Sequence, residues 1–178
     1  MRKQKGITLV ELLVVMAIIG ILASMALPSF RSMLVRRAAT SAASDLASDF
    51  RVARSEAIKR SSFVTACRST DGAACATTGD WSVGWIVFLD RNGNQSVDAG
   101  DDLIKVQGAP ASITSMGRIG AASSTRATFM YQPTGLALNA SESFVVTADA
   151  SLKDGTRLVC VSALGRMRVA AAGVAASC

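Results

Sequence analysis

The N-terminal segment joins a basic start to a long apolar run. The sequence reads MRKQKG at residues 1–6, then ITLVELLVVMAIIGILASMAL at residues 7–27, and then Pro28. Three basic residues in the first six are typical of a segment that stays on the cytoplasmic side of a membrane. As a helix, the apolar run is ~31 Å long, which matches the hydrocarbon core of a bilayer. The sequence therefore predicts a transmembrane helix over residues 7–28.

Glu11 is the only charge in this apolar run. A carboxylate in lipid costs on the order of 2 kcal/mol or more unless it finds a partner. Cleavage between Gly6 and Ile7 would create such a partner, a free α-amino group on the same chain or on a neighbouring subunit. A secretory signal would have a shorter apolar run followed by a small-x-small cleavage site. A plain membrane anchor would not explain Glu11, and a buried core helix would not explain the basic cluster. The segment therefore indicates a processed helix that assembles with other subunits.

The composition excludes most enzyme classes. The chain has 178 residues, a mean hydropathy of +0.36, a formal charge of +6 and no histidine. Without histidine the Ser-His-Asp arrangement and most zinc sites are ruled out. No other nucleophile and base or phosphate-binding glycine loop stands out, so we expect no enzyme and no cofactor. Residues 1–6 carry three of the positive charges, and the +3 that remains is too weak to indicate nucleic-acid binding by itself.

Residues 29–178 are long enough for one domain with its own core. Pro28 is expected to kink the helix rather than end it. A helical pattern then continues to residue 60, and its apolar stripe has spacings of three and four: Val35, Ala39, Ala42, Leu46, Phe50, Ala53 and Ala57. Arg51 and Arg54 lie off this stripe and are interpreted as part of a solvated face.

After residue 61 the pattern changes to that of strands. Eight are expected, at residues 62–68, 81–89, 103–107, 112–116, 125–132, 144–150, 157–163 and 166–171. The sequence therefore predicts an α+β fold. One long N-terminal helix, with a transmembrane half and an amphipathic half, packs on antiparallel β-sheet.

Several segments resemble one known family. The sequence KGITLVELLVV at residues 5–15 looks like the prepilin signature of type IV pilins and type II secretion pseudopilins. Together with ARSEA at residues 53–57, GWIVF at residues 84–88 and GRMR at residues 165–168, it makes the whole chain similar to the GspH/FimT group of minor pilins and minor pseudopilins. One departure is Ile7, where most members have Phe.

The resemblance implies a type IV pilin-like fold and a processing route. A prepilin peptidase would cut between Gly6 and Ile7, Ile7 would be N-methylated, and Glu11 would serve assembly with other major and minor pilins. Residues 1–6 would be the cleaved leader and residues 7–28 the single inner-membrane helix. Residues 29–178 would form the periplasmic domain, incorporated into a pilus or pseudopilus.

Gly165, Arg166 and Arg168 are the candidate DNA-binding residues. In a strand or its lead-in, the two arginines would share a face ~7 Å apart, and guanidinium groups bind phosphates bidentately. No acidic residue follows Asp154. In DNA-uptake members of the FimT group, a Gly-Arg-x-Arg motif lies in the DNA-contacting region. The resemblance therefore implies phosphate contacts to double-stranded DNA, independent of base sequence; Arg157 is a further guess without a motif.

Two functions follow from these residues. The first is a minor pilin of a type IV pilus that helps assembly and binds extracellular DNA at the pilus tip for natural transformation. The alternative is a GspH-like minor pseudopilin of a type II secretion system with a purely structural role. In that case the arginines would serve the fold or a subunit interface.

Four cysteines, Cys67, Cys75, Cys160 and Cys178, predict two disulfides in a chain that crosses a membrane. One would close a short loop and one would tether the C-terminus, although three connectivities are open. Residues 90–102 place oxygen side chains at alternating positions, as in a calcium loop. Because glycine stands at the fourth position rather than the sixth, a polar hairpin without metal is expected, with calcium as the alternative.

Replacing Glu11 with Val should spare cleavage and impair assembly. The peptidase cuts before Ile7, whereas the carboxylate is needed later, to neutralise the α-amino group of a docked subunit. Immunoblots separate precursor from mature chain, and sheared filament fractions report incorporation. Normal incorporation of Glu11→Val would contradict this account of the carboxylate.

Overall fold

The computed structural model describes residues 8–119, 127–138, 142–152, 155–162 and 164–171. Within these ranges the chain forms one long helix and eight strands. The helix α1 spans Leu9–Arg60. The strands are β1 Phe63–Arg68, β2 Gly84–Asp90, β3 Leu103–Gly108, β4 Ser115–Ile119, β5 Thr128–Tyr131, β6 Glu142–Thr147, β7 Thr156–Val161 and β8 Met167–Ala171.

The first half of α1 is apolar and exposed. The helix begins after Thr8, whose hydroxyl accepts a hydrogen bond from the Glu11 amide at 3.3 Å. This contact belongs to a Thr-x-x-Glu capping pattern, and it places an acidic side chain in the first turn, where the helix dipole favours it. By length and composition, α1 is able to cross a membrane. It continues through Pro28, which confirms that the proline does not end it.

The chain divides into two compact units, one ending at Leu34 and the other beginning at Val35. In the second unit the predicted stripe of α1 is buried from Ala39 to Ala57, while Val35 is half-buried. Ala43 and Ala47 are also buried and widen the stripe. Small alanine side chains allow the sheets to approach the helix closely.

The eight strands form two antiparallel sheets of four. The strand order is β3-β2-β1-β5 in the first sheet and β4-β6-β7-β8 in the second. The predicted helix-on-sheet fold is confirmed, and the division into two sheets is new. Trp81 lies in a short 3₁₀ helix, Trp81–Val83, because the Asp80 side chain caps it by accepting from the Ser82 amide. Ser112 has a φ of 60°, a left-handed conformation, so β4 begins later than predicted.

Phe50 of α1 joins the helix to both sheets. Its ring stacks on Phe129 of β5 at 5.0 Å and meets Phe144 of β6 edge-on at 5.3 Å. Trp81 packs edge-on against both Phe50 and Phe144. Such aromatic pairs contribute ~0.5–1.5 kcal/mol each beyond the area they bury. An aromatic cluster shared by three layers therefore lies within the larger core of the second unit.

Two carboxylates, the buried Asp49 and the half-buried Asp80, connect the layers through hydrogen bonds. Asp49 on α1 accepts from the Trp85 indole of β2 at 3.0 Å and lies 3.5 Å from the Lys105 ammonium of β3. Asp80 accepts from the Met116 amide of β4 at 2.9 Å. Although burial alone would raise it, hydrogen bonds from Ser82 and Met116 lower the pKa of Asp80 below its ordinary value.

Replacing Phe50 with Ala should lower the free energy of unfolding by ~3–5 kcal/mol, because it leaves a cavity between the two sheets. Val52→Ala, on the exposed side of the same helix turn, should cost less than ~1 kcal/mol. Urea unfolding of the full chain in detergent can be followed by the fluorescence of Trp81 and Trp85, both buried. Equal midpoints for the two variants would contradict this core assignment.

Candidate functional site

Gly165 and Arg166 lie in the turn that joins β7 to β8. The Gly165 amide donates to the Ser162 carbonyl at 2.8 Å, and the Ser162 amide donates to the Arg166 carbonyl at 2.9 Å. The Arg166 amide donates to the Ser162 hydroxyl at 3.2 Å. The expectation that Arg166 and Arg168 share one face relied on the alternation of side chains along a strand. Because Arg166 lies in the turn, that alternation begins only after it.

Gly165 is required by both conformation and space. Its φ is +71°, and a Cβ added there would lie 2.5 Å from the Gly135 carbonyl oxygen and 2.9 Å from the Tyr131 ring. Tyr131 ends β5 and Gly135 lies in the turn after it; residues 131–135 are called the β5 segment. The β7–β8 turn can approach this segment only without a side chain at position 165. The glycine of the Gly-Arg-x-Arg motif thus determines where Arg166 is presented.

The turn lies beside α1, and together they border an open cavity of about 370 Å³. Its lining comes from Arg51, Arg54, Ser55 and Ile58 on the helix, from Gly165 and Arg166 in the β7–β8 turn and from Met167, the first residue of β8. The helical residues follow an i, i+3, i+4, i+7 pattern, which places them on one face. Three arginines, Arg51, Arg54 and Arg166, therefore line one site.

Arg54 also supports this site structurally. Its Nε donates to the Gly135 carbonyl at 2.9 Å, and the side chain is half-buried. Arg51 is exposed. Sequence reasoning assigned both residues to a solvated helix face and missed their meeting with Arg166. The signal was present in their spacing, but nothing in the sequence connected that helix face to the β7–β8 turn.

The site is electrostatically positive. In the part of the chain that the structure describes, no ion pair is formed by Arg51, Arg54 or Arg166. The acids on either side along the helix have other partners: Asp49 lies 3.5 Å from the Lys105 ammonium, and Glu56 contacts Arg60 at 2.6 Å and Lys59 at 3.5 Å. The hydrogen bond from Arg60 lowers the pKa of the Glu56 carboxyl. Arg51 and Arg166 are therefore available to an anion, and Arg54 adds its charge to the site.

Tyr131 is buried beneath Gly165 and does not itself line the cavity. Its hydroxyl donates to the Gly165 carbonyl at 3.4 Å. Burial raises the pKa of the Tyr131 hydroxyl above its ordinary value, although Arg54 and Arg51 act in the opposite direction. The phenol therefore stays neutral at physiological pH and adds no negative charge to the cavity.

Arg168 and Arg157 lie on neighbouring strands of the second sheet. Arg168 is exposed on the edge strand β8, where its backbone pairs with Cys160. It forms no ion pair within the described ranges. Arg157 donates from Nε to the Thr40 hydroxyl of α1 at 3.0 Å and from Nη1 to the Thr156 carbonyl. Arg157 therefore connects the sheet to the helix, whereas Arg168 is presented to solvent.

One of the two expected disulfides is fully described. Cys67 is bonded to Cys75, which closes a loop after β1 as expected. Arg68 secures the following residues by donating to the carbonyls of Ala76, Thr77 and Gly79. Cys160 is disulfide-bonded as well. Its expected partner, Cys178, lies outside the described residues.

The loop between β2 and β3 is the predicted polar hairpin. Asp90 is buried, and its two oxygens accept from the amides of Gly93, Asn94 and Gln95 and from the Thr65 hydroxyl. Asp102 pairs with Arg91 and Arg60. The acidic side chains are thus used within the fold, and no metal-binding group of His, Cys, Asp or Glu occurs among the described residues.

The assembly segment is described only in part. Gly6 and Ile7, the residues predicted for cleavage and N-methylation, lie outside the described residues. Glu11 is exposed near the start of α1 and borders a shallow apolar groove lined by Leu12, Val15, Met16 and Ile19. No ion pair of Glu11 occurs within the described ranges, so the carboxylate is accessible to a partner from outside.

Two family models match the chain. Residues 42–165 match the model of the type II transport protein GspH, and residues 1–27 match the prokaryotic N-terminal methylation motif. The pilin-like protein PilA1 of Thermus thermophilus is 37% identical over 99 residues, which are 56% of each chain. A fimbrial protein of Pseudomonas aeruginosa is 31% identical over 102 residues, 57% of this chain and 63% of that protein. The chain thus spans less than two thirds of these relatives.

Solved structures share the fold. The type IV minor pilin FimU of Pseudomonas aeruginosa aligns with a TM-score of 0.57 and 19% identity, over 80% of this chain and 96% of that one. The minor pseudopilin EpsH from the Type 2 Secretion System of Vibrio cholerae aligns with a TM-score of 0.53 and 11% identity, over 76% of this chain and 98% of that one. The resemblance found in the sequence is confirmed, and the chain belongs to the GspH family, with the fold of minor pilins and minor pseudopilins.

Proposed function

We propose that this chain is a minor pilin of a type IV pilus that helps the filament assemble and binds double-stranded DNA through Arg166 and Arg168. The observation that carries the DNA-binding part is the pair of exposed arginines at the start of β8, without ion pairs in the described chain. Gly165 presents the first of them by letting the turn pack against β5. The ligand is extracellular DNA taken up in natural transformation.

Assembly depends on the N-terminal segment. In this proposal a prepilin peptidase cuts between Gly6 and Ile7, Ile7 is N-methylated, and residues 7–28 cross the inner membrane with residues 29–178 in the periplasm. The exposed apolar side chains of α1 then pack against those of neighbouring pilins. Glu11 pairs with the α-amino group of a docked subunit, because an unpaired carboxylate in an apolar filament core is costly.

DNA binding follows from guanidinium chemistry. Arginine keeps its charge at all physiological pH values and donates two parallel hydrogen bonds to one phosphate. Such contacts read the backbone rather than the bases, so binding is independent of sequence and weakens as salt rises. No aromatic side chain lines the cavity, and for this reason the ligand is a duplex backbone rather than stacked single-stranded bases.

A second candidate is a minor pseudopilin of a type II secretion system. The GspH family model supports it, and so do the exposed apolar side chains of Ile58 and Leu164 in the segments that form the cavity. Exposed apolar groups beside arginines are typical of protein interfaces. In this case the arginines contact another subunit, and deletion of the gene reduces secretion rather than DNA uptake.

Replacing Arg166 and Arg168 together with Gln should weaken duplex binding roughly tenfold or more at ~0.1 M salt, because two phosphate contacts are lost. Arg37→Gln, which removes one exposed charge of α1 without an ion pair in the described chain, is the matched control for the single variants Arg166→Gln and Arg168→Gln. Gel shifts of the full chain in neutral detergent measure the affinity, and tryptophan fluorescence checks the fold.

The same variants separate the two candidates in cells. For a DNA-binding minor pilin, Arg166→Gln/Arg168→Gln lowers transformation frequency and leaves pilus number unchanged. Unchanged DNA binding by the double variant at moderate salt would contradict the proposal. Loss of secretion on deletion, with normal piliation, would favour the pseudopilin.

A further inference from the structure

We infer that Arg51 on α1 and Arg166 in the β7–β8 turn bind one DNA phosphate between them, in the cavity that they line. The DNA-binding surface then extends from β8 onto the helix. This inference rests on the proposed function, since the ligand is the phosphodiester backbone of the same duplex. It adds a residue from α1, outside the Gly-Arg-x-Arg motif, to the binding surface.

The cavity suits an anion of this size. Its volume of about 370 Å³ admits a phosphate with the adjoining sugar. The hydroxyl of Ser55 is already used, since it donates to the Val52 carbonyl at 2.9 Å. Hydrogen bonds to a ligand therefore come from the guanidinium groups. Ile58 and Met167 supply an apolar wall, against which a sugar ring can pack.

Arg54 is a positioning residue in this arrangement. Its Nε is committed to the Gly135 carbonyl, so it secures the segment on which Gly165 packs. Its charge still adds to the potential of the cavity. Arg51 has no such task, since it is exposed and has no ion pair in the described chain, and it is the helix residue free to contact the ligand.

The charge balance favours a phosphate backbone over a protein carboxylate. Three guanidinium groups lie at one cavity, and Arg168 lies two residues beyond Arg166 on β8. A single carboxylate neutralises one of these charges, whereas a duplex supplies a series of phosphates along its backbone. Concentrated positive charge also raises the rate at which a polyanion is captured.

The experiment compares two arginines of one helix. Arg51→Gln removes the proposed contact. Arg37→Gln is its matched control, because Arg37 is also exposed on α1 without an ion pair in the described chain, ~21 Å away along the axis. A labelled duplex of about 30 base pairs is titrated with the full chain in neutral detergent at several salt concentrations. Fluorescence anisotropy then gives the affinity and its salt dependence.

The inference predicts that Arg51→Gln weakens binding several-fold. It should also reduce the magnitude of the negative slope of log affinity against log salt by ~0.9, because one phosphate contact is lost. Arg37→Gln should leave both unchanged. Arg51→Lys keeps the charge and loses the bidentate geometry, so its affinity for the duplex should lie between that of Arg51→Gln and that of the wild type.

Each other outcome overturns a distinct claim. If Arg51→Gln binds like Arg37→Gln while Arg168→Gln is weakened, the inference is wrong and the proposed function stands. If the wild-type chain does not bind the duplex at moderate salt, the proposed function fails and the inference fails with it. If Arg51→Gln leaves DNA binding intact and disrupts incorporation into filaments, the cavity is a subunit interface.

Discussion

The contact of Phe50 with aromatic rings from both sheets is the constraint on which the second unit depends. Phe50 stacks on Phe129 of one sheet and meets Phe144 of the other edge-on. These contacts determine how α1 is rotated about its axis. With Phe50 and Ala53 turned inward, Arg51 is exposed and Arg54 is half-buried beside the β5 segment. The packing of the core thus decides which arginines reach the surface.

A second constraint is the space at Gly165. The β7–β8 turn approaches Tyr131 and Gly135 so closely that a Cβ would overlap the Gly135 carbonyl oxygen. This approach carries Arg166 to the face of α1 where Arg51 and Arg54 lie. The glycine before Arg166 therefore allows close contact because it has no side chain. A larger residue at position 165 moves the turn outward and separates the two halves of the positive surface.

The sequence predicted the helix and all eight strands, because apolar spacing is a local property of the chain. It did not predict that the strands separate into two sheets, since strand pairing depends on residues far apart in sequence. Trp81 was expected in a strand and lies in a 3₁₀ helix, because the Asp80 side chain caps that turn. The start of β4 was placed too early, at Ser112, whose left-handed conformation has no mark in the sequence.

The sequence singled out only part of the candidate site. A motif pointed to Arg166 and Arg168, whereas Arg51 and Arg54 were assigned to a solvated face because their neighbours across space were unknown. Of the two disulfides, Cys67–Cys75 is described, although sequence alone left three connectivities open. A motif links Arg166 and Arg168 in the sequence, whereas only the fold brings Arg51 and Arg54 beside Arg166, and the sequence alone did not predict that contact.

The central claim is that arginines from α1 and β8 form one DNA-contacting surface. Its most direct test is chemical modification of arginines with phenylglyoxal, with and without duplex DNA, read residue by residue by mass spectrometry. The account predicts that DNA protects Arg51, Arg166 and Arg168 and leaves Arg37 as reactive as before. Equal modification of all four residues with and without DNA would contradict it.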